Sequence, residues 1–469
     1  MAKDAKLEAL EKRDIWPLLV SYSIPAIVGM VAMSVYNIVD SIYVGQWCGA
    51  YAIAAMAIVF PIMNLTVAVG TLMGLGSAAT ASISLGQGKK QRAERVLGHC
   101  VKMGLILGVV VGWLPLPWLT EILETFGATE NTLTGAYDFM LVIMLGFPLS
   151  SSFMNLNHLM RASGYPMRAM VSLIISMVVN VAIAPIFIYV LDMGLIGAAL
   201  ATVVAQLVGM VWVLAHFADK RSVLHFRRGI YELQWPLVKR ICTVGLPPCL
   251  LNICGCIVVV FFNFRFIQYD GDMGVAAYGV VNRVVFFFAM IVLGITQGLQ
   301  PIAGYNLGLG KFSRVKRVLY YAMAWASVIT LIGALSMELL PHTIVSFFAR
   351  ESDAESAQLI EIASRGVRLL GICFALVGSQ IVIGNFFQAI GRPVMSIFLN
   401  LTRQLLLLIP ALCLLPGWLG EPGIWLSQTT ADFLSTCLGF TVLYLFFKHA
   451  FPREDVEFPA EETHDATHT

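Results

Sequence analysis

Asp40 is the residue of this chain whose setting most clearly points to chemistry. It lies in the segment YNIVDSIYVG, residues 36–45, and no other charged residue occurs between positions 15 and 44. No basic residue that could pair with it occurs between Arg13 and Lys89. Because an unpaired carboxylate in an apolar helix is costly, Asp40 is expected either to hold a proton or to bind a small cation.

Four other polar side chains could complete an ion site at Asp40. Tyr36 and Asn37 lie four and three residues earlier and share its face of the helix. Asn180 and Thr202 lie in two other apolar segments, at depths within roughly two helical turns of Asp40. Carboxylate, amide and hydroxyl oxygens together suit a hard cation such as Na⁺. The alternative for Asn180 and Thr202 is ordinary hydrogen bonding between helices.

Twelve apolar segments must position these residues. The chain has 469 residues, of which 58% are hydrophobic and only 12% are charged. A helix of about 20 apolar residues crosses a bilayer core. The predicted fold class is therefore all-α, a polytopic membrane protein whose first span is retained and is not a cleaved signal peptide. The predicted spans 1 to 12 lie at 15–45, 51–82, 95–117, 134–160, 168–190, 194–217, 245–268, 274–305, 315–340, 358–388, 393–416 and 423–447.

The distribution of Lys and Arg predicts the orientation of these spans. Of the 30 basic residues, 25 fall in the two terminal segments or in connections on one side of the membrane. This count places Arg392 and Arg403 with the connection between spans 10 and 11. The opposite connections are acidic or uncharged. By the positive-inside rule, the basic side and both termini are expected to be cytoplasmic, in the inner membrane of a bacterium.

The chain also contains an internal repeat. At a shift of 222 residues, SLGQGKKQRAERVL (84–97) lies over NLGLGKFSRVKRVL (306–319). Farther on, RASGYP (161–166) lies over QAIGRP (388–393), and Gly197 lies over Gly423. Because each copy has an even number of spans, both enter the membrane in the same sense. The repeat therefore predicts two six-helix bundles related by a pseudo-two-fold axis along the membrane normal.

The repeat divides the chain into five regions. We predict a cytoplasmic N-terminus at 1–14, a first bundle at 15–217, a cytoplasmic linker at 218–244, a second bundle at 245–448 and a disordered cytoplasmic tail at 449–469. The ELQWPLVKRI part of the linker is either an interfacial helix or a solvated segment held near anionic lipid by its charge.

The repeat makes Asp40 more informative, because its counterpart at a shift of 222 is Phe262. The scaffold therefore does not require a carboxylate at that position. In the second bundle, Asp432 and Arg283 are expected to lie at similar depth and to form a charge-compensating pair. Pro25, well inside span 1, is expected to kink the helix that carries Asp40.

The sequence motifs for nucleotide binding or metal chemistry are incomplete or absent in this chain. GYNLGLGKF (304–312) resembles a phosphate loop, but its spacing is wrong and Phe312 stands where Ser or Thr is needed. HExxH is absent from the sequence. We therefore expect no enzyme activity, no direct use of ATP and no cofactor, and we expect no nucleic-acid partner.

These features together resemble the multidrug and toxic compound extrusion (MATE) transporters of prokaryotes. The resemblance rests on Pro25 followed by Asn37-x-x-Asp40 and Gly45, on Gly-x-Gly-Lys after spans 2 and 8, and on Arg-Ala-x-Gly-x-Pro after span 4. It covers the chain from about Trp16 to Phe447.

The resemblance implies a V-shaped pair of bundles, working as a monomer among membrane lipids. Such proteins alternate between outward- and inward-facing states and export amphipathic, often cationic compounds in exchange for H⁺ or Na⁺. It also implies that the residues matching Asn180, Thr202 and the backbone around Ala198 complete a cation site with Asp40. Several relatives carry a second acid where this chain has Ala184, so Asp40 is expected to act as the only acid of the first bundle.

Two other functions remain as alternatives. A lipid-linked oligosaccharide flippase of the same superfamily would need several basic residues around a pyrophosphate head group, and only Arg283 is expected deep in the membrane. A receptor or scaffold without transport would leave the buried acid unexplained.

Overall fold

Helices form all the regular secondary structure that the computed structural model describes, which covers residues 2–48, 50–126, 128–227, 229–346, 354–452 and 454–456. In these ranges twelve helices are long and apolar enough to cross a membrane, which confirms the predicted count. Spans 1 to 12 are Ile15–Cys48, Ala50–Gly86, Lys90–Trp113, Glu130–Ala162, Pro166–Val190, Gly194–Ala218, Trp235–Gly271, Met273–Gly308, Phe312–Leu339, Ala354–Ala389, Pro393–Leu419 and Glu421–His449. Shorter helices occupy Ala2–Lys12, Leu116–Trp118, Leu119–Thr125 and Pro341–Ser346.

Four spans depart from a regular α-helix at three places. Spans 7 and 8 form one helical run that is broken only at Gly271, whose φ of 62° is left-handed. Span 5 ends in a π-helical turn at Ile186–Val190, and span 11 contains one at Thr402–Leu408. Such turns change the rotation of the residues that follow and often occur at functional sites. Span 7 begins at Trp235, so the WPLVKRI part of the predicted linker belongs to that helix.

The internal repeat is confirmed in the backbone. Gly88 and Gly310, which end the connections after spans 2 and 8, have φ of 74° and 78°. The next residues, Lys89 and Lys311, have φ/ψ of −81°/64° and −84°/69°. The Lys89 amide donates to the Ser84 carbonyl at 3.0 Å, and the equivalent bond of Lys311 measures 2.9 Å. The same short sequence therefore builds the same turn in both bundles.

The two bundles are joined on one face, which we call the basic face because it carries both termini and the Gly-x-Gly-Lys connections. One buried apolar cluster contains residues of both bundles, such as Leu18, Leu156, Leu299 and Phe387. Two further clusters, around Phe139 and around Phe266, each belong to a single bundle. The cores are therefore continuous at the basic face and separate toward the opposite face.

Glycines allow the close approach of the bundles at the basic face. A Cβ atom at Gly245 on span 7 would overlap the Leu72 carbonyl oxygen on span 2. A Cβ atom at Gly308 on span 8 would overlap the Ile83 carbonyl oxygen in the same way. Any larger side chain would push the bundles apart, so this packing closes the basic face.

The N-terminal helix Ala2–Lys12 crosses from the first bundle to the second. Leu10 is buried, and its carbonyl accepts hydrogen bonds from Asn306 at 3.1 Å and from Arg314 at 3.3 Å. Glu11 forms an ion pair with Lys311 at 2.8 Å. The N-terminal helix therefore lies across the basic face.

The end of the chain is also attached there, which corrects part of the predicted disordered tail. The Asp455 carboxylate accepts hydrogen bonds from the Ser313 amide at 2.8 Å and from the Ser313 hydroxyl. The Val456 amide donates to the Gly310 carbonyl at 3.1 Å. No local side chain caps span 9, so Asp455 supplies the cap from a distant part of the chain. Residues 457–469 of the predicted tail lie outside the described residues.

Candidate functional site

The interior of the first bundle holds a small cavity of about 40 Å³ between spans 1, 4, 5 and 6. Apolar side chains form most of its wall, and four neutral polar side chains and the Tyr36 ring complete it. The lining residues are Met33, Tyr36, Phe153, Met154, Leu173, Ser176, Met177, Asn180, Thr202, Ala205 and Gln206.

Thr202 is the centre of the hydrogen bonds in this cavity. Its hydroxyl donates to the Ala198 carbonyl one turn earlier on span 6, at 3.2 Å. Because that hydrogen is used, the Tyr36 hydroxyl is the donor in its 3.1 Å contact with the Thr202 oxygen. The Asn180 amide also donates to that oxygen, at 3.4 Å. Three spans of the first bundle therefore meet at one hydroxyl.

Asp40 lies one helical turn beyond Tyr36 on span 1 and is only 5% exposed. Its Oδ1 atom has no hydrogen-bond partner in the part of the chain that the structure describes. The side chain is not among those that line the cavity.

The remaining predicted residues are distributed around this site. Ala198 contributes its carbonyl to Thr202, and Ala184 is fully buried. Pro25 lies inside the continuous helix Ile15–Cys48, ten residues after its start, and the kink there stays a prediction. The side chain of Asn37 lies outside the described part of the chain.

The oxygens at this site suit a hard cation. Like Asp40 Oδ1, the Asn180 Oδ1 and Gln206 Oε1 atoms are buried and have no hydrogen-bond partner among the described residues. Buried polar atoms are normally paired. Carboxylate and amide oxygens are ligand types that Na⁺ accepts. By chemical type, Asn180 and Gln206 in the cavity wall suit a small cation, and Asp40, outside that wall, suits a cation or a proton.

Gln206 is the member of this site that the sequence reasoning missed. It lies four residues after Thr202 on span 6 and therefore shares its helix face. That spacing was the signal available in the sequence.

The second bundle corrects the predicted pair of Arg283 and Asp432. Asp432 accepts a hydrogen bond from Arg403 Nε at 2.7 Å, and these two side chains are 8% and 17% exposed. Gln428 donates to both Asp432 oxygens at 3.2 Å. The side chain of Arg283 is exposed instead.

The error arose from the depth assigned to Arg403. Arg403 is counted above with the basic connection before span 11, although the predicted and the observed helix both begin at residue 393, ten residues earlier. Arg403 therefore lies deep in the membrane, inside the π-helical turn Thr402–Leu408. It is closer in depth to Asp432 than the sequence indicated, and it is the residue that compensates the buried charge.

No group of three His, Cys, Asp or Glu side chains that could hold a metal ion occurs in the described ranges.

Comparison with known proteins agrees with this architecture. A family model described as MatE matches residues 25–186 and 247–413, one match in each bundle. The multidrug export protein MepA of Staphylococcus aureus strain MSSA476 is 25% identical over 445 residues, which cover 94% of this chain and 96% of the relative. MepA of Staphylococcus haemolyticus strain JCSC1435 is 24% identical over 444 residues, with the same coverage of both chains.

Solved structures share the fold. One, described as the outward-facing conformation of a multidrug resistance MATE family transporter of the MOP superfamily, has a TM-score of 0.88 and 24% identity. Another, a MOP superfamily transporter from Pyrococcus furiosus described as having a binding pocket of reverse polarity, has a TM-score of 0.89 and 23% identity. Each covers 94% of this chain and 97% of its own.

Proposed function

The chain belongs to the MatE family, and we propose that it is a secondary transporter that exports small amphipathic organic compounds, many of them cationic, in exchange for H⁺ or Na⁺. The export of drugs is what the names of the MepA relatives describe for those proteins. We place the transporter, as a monomer, in the inner membrane of a bacterium, with the basic face toward the cytoplasm. In that orientation the closed face is cytoplasmic, and the conformation is outward-facing.

The observation that carries the proposal is the buried carboxylate of Asp40, whose Oδ1 has no hydrogen-bond partner in the described structure. A carboxylate in a low-dielectric interior is stable when it binds a cation or a proton. The first bundle supplies further oxygens at Asn180, Thr202 and Gln206. Binding of the ion neutralises Asp40, and its release restores the charge.

Ion binding at Asp40 can drive export only if it favours one conformation. An ion shifts an equilibrium between two states by the difference in its affinity for them. The Tyr36, Asn180 and Thr202 contacts join spans 1, 5 and 6, so an ion held there would draw these three helices together. We propose that this contraction lowers the affinity of the outward-facing state for substrate and that release of the ion to the cytoplasm restores it.

The test is transport by the purified protein in proteoliposomes. A fluorescent amphipathic cation is loaded, and a Na⁺ gradient and a pH gradient are imposed separately. We expect one or both gradients to drive export by the wild-type protein, and we expect Asp40→Asn to lose that drive. Asp138→Asn on span 4 is the matched control, because it removes a half-buried carboxylate of the same bundle that lies outside the cavity lining.

Full gradient-driven export by Asp40→Asn would contradict the coupling role of Asp40. Movement of a lipid-linked oligosaccharide by the wild-type protein, without export of the dye, would replace the proposal with the flippase function.

A further inference from the structure

The second bundle contains a polar cluster at the place equivalent to the first-bundle cavity. Ser176 and Arg403 each lie ten residues after the proline that begins their helix, Pro166 in span 5 and Pro393 in span 11. Ser176 lines the first-bundle cavity. Arg403 is therefore directed to the equivalent interior position of the second bundle.

The facing helices match in the same way. Gly197 and Gly423 both pack against the backbone of the preceding span, at Phe187 and Leu415. Counted from these glycines, Thr202 corresponds to Gln428 and Gln206 corresponds to Asp432. The Thr202 and Gln206 side chains line the cavity, and Gln428 and Asp432 are the partners of the Arg403 cluster.

The two clusters differ in their charged side chains. In the first bundle, Ser176 and Gln206 are neutral and line a small cavity of about 40 Å³ together with Asn180 and Thr202. In the second bundle, a carboxylate replaces Gln206, and an arginine that replaces Ser176 reaches it at 2.7 Å. A third equivalent position, Phe153 in the first bundle, is Gln380 in the second, and it is also buried.

We propose that Arg403 is a built-in counter-ion that permanently fills a second ion site at Asp432, so that the second bundle carries a cation throughout the transport cycle and exchanges none. The guanidinium takes the position of a free ion. Because it is covalently attached and always protonated, it cannot be released to either side of the membrane. This inference rests on the proposed ion-coupled function and adds that the first bundle alone sets the number of ions exchanged per substrate.

The inference predicts the effect of freeing Asp432. Arg403→Gln leaves the buried carboxylate with Gln428 as its remaining polar partner in the cluster, and such a group should recruit a cation from solution. The second bundle should then bind one additional Na⁺ or H⁺. Arg403→Gln with Asp432→Asn removes both charges and should bind none.

The experiment measures the number of charges moved per substrate molecule. Purified protein is reconstituted in proteoliposomes with Na⁺ and H⁺ on both sides, and the membrane potential at which net dye flux reverses is measured at fixed substrate gradients. This count does not depend on which ion is coupled. We expect the neutral double variant to give the wild-type count and Arg403→Gln to give one more elementary charge per substrate.

Two results would overturn the inference. One is a neutral double variant that keeps its melting temperature and binds dye but has lost a charge per substrate, because the pair would then belong to the exchanged ions. The other is a folded Arg403→Gln variant with the wild-type count. If Arg403→Gln does not fold, the neutral double variant decides alone.

The proposed function fails differently. A wild-type protein whose dye flux responds to no ion gradient and no potential refutes the coupled export and this inference together. A wild-type protein with coupled flux, tested beside a double variant that has lost it, refutes the inference only.

Discussion

The first bundle buries the Asp40 carboxylate outside the lining of a cavity whose wall is uncharged, whereas the second bundle holds Asp432 against Arg403 at 2.7 Å. At the position equivalent to Asp40, the second bundle has Phe262, which is stacked on Tyr278 with ring centroids 4.8 Å apart. The two halves thus share helices, turns and glycine contacts but differ in how they treat buried charge. Duplication supplied one scaffold, and under the proposals above the exchange of a few interior side chains makes one half responsive to ions and the other insensitive to them.

Placing an aspartate at Phe262, the second-bundle position equivalent to Asp40, should give the largest effect. Phe262 is 1% exposed and packs within the aromatic cluster of Phe266, Tyr278 and Trp425. Phe262→Asp removes that packing and buries a charge among aromatic rings. We expect a loss of about 3–5 kcal/mol from packing alone, before the cost of the charge is added.

Thermal unfolding in detergent measures this loss, with Phe262→Leu as the control that keeps an apolar side chain. A Phe262→Asp variant as stable as Phe262→Leu would mean that the second bundle accepts a lone acid as the first one does.

Breaking the charge pair of the second bundle should come next in size. Removing one partner of a buried ion pair typically costs about 3–5 kcal/mol, because the other charge is left uncompensated. Replacing both partners with neutral groups is often far less costly. We therefore expect Asp432→Asn alone to lower the melting temperature strongly and Arg403→Gln with Asp432→Asn to restore most of it.

A double-mutant cycle on unfolding free energies measures the coupling between Arg403 and Asp432. Additive single-variant costs would show that the 2.7 Å contact contributes little.

The sequence predicted the helices far better than it predicted this pair. The twelve spans and the duplication follow from the thickness of a bilayer, from the alternation of basic connections and from repeated turns such as those at Gly88 and Gly310. The partner of Asp432 depends on the depth of Arg403 and on the rotation of span 11, which a π-helical turn changes at that residue. The predicted span 393–416 already places Arg403 ten residues inside the helix, but hydropathy does not give the rotation of that helix. Because Arg403 was counted with the basic connection, Arg283 was left as the predicted partner of Asp432.

The hydrogen bond between Asn180 and Thr202 was easier to predict, and the ion site itself stays a prediction. Asp40 is the only charged residue of its span, and Asn180 and Thr202 lie on helices whose ends were well defined. To predict their contact through the Thr202 hydroxyl, it was enough that both residues lie at similar depth, on sides of their helices that face the bundle interior. The packing of the N-terminal helix Ala2–Lys12 and the Asp455 cap could not be predicted, because contacts between the chain ends and distant turns leave no periodic pattern in the sequence.

Removing the hydroxyl that joins spans 1, 5 and 6 should have an intermediate effect. Thr202→Val keeps the shape of the side chain but leaves the Tyr36 hydroxyl and the Asn180 amide without their acceptor. A buried polar group left unsatisfied costs about 1–3 kcal/mol. We expect a comparable loss of stability and a weaker dependence of export on the coupling ion.

Thr441→Val is the matched control, because the hydroxyl of Thr441 is exposed and bonds only to the Cys437 carbonyl of its own helix. Equal ion dependence in the two variants would exclude Thr202 from the ion site.

The smallest difference between the repeats lies at the start of the third helix of each. Lys89 and Lys311 hold equivalent positions, and neither side chain caps its helix, yet only span 9 receives a cap from Asp455. Partial burial raises the pKa of Asp455, but hydrogen bonds from Ser313 and Phe312 and the charge of Lys311 outweigh it, so the pKa lies below its usual value. Since the folded pKa is lowered, the cap stabilises fully above the ordinary carboxyl pKa of about 4 and is lost as pH falls through the lower folded value.

Substitution of Asp455 by Ala should cost about 0.5–2 kcal/mol at neutral pH, as for other helix caps. The difference in melting temperature between Asp455→Ala and wild type should shrink as the pH is lowered below the ordinary carboxyl value, because the wild-type cap becomes protonated. Glu454→Ala is the control, because it removes an exposed carboxylate from the same segment. A difference that stays constant across that pH range would mean that the tail is held by the Val456 amide and the buried Phe451 ring, and that the Asp455 charge has no part in capping span 9.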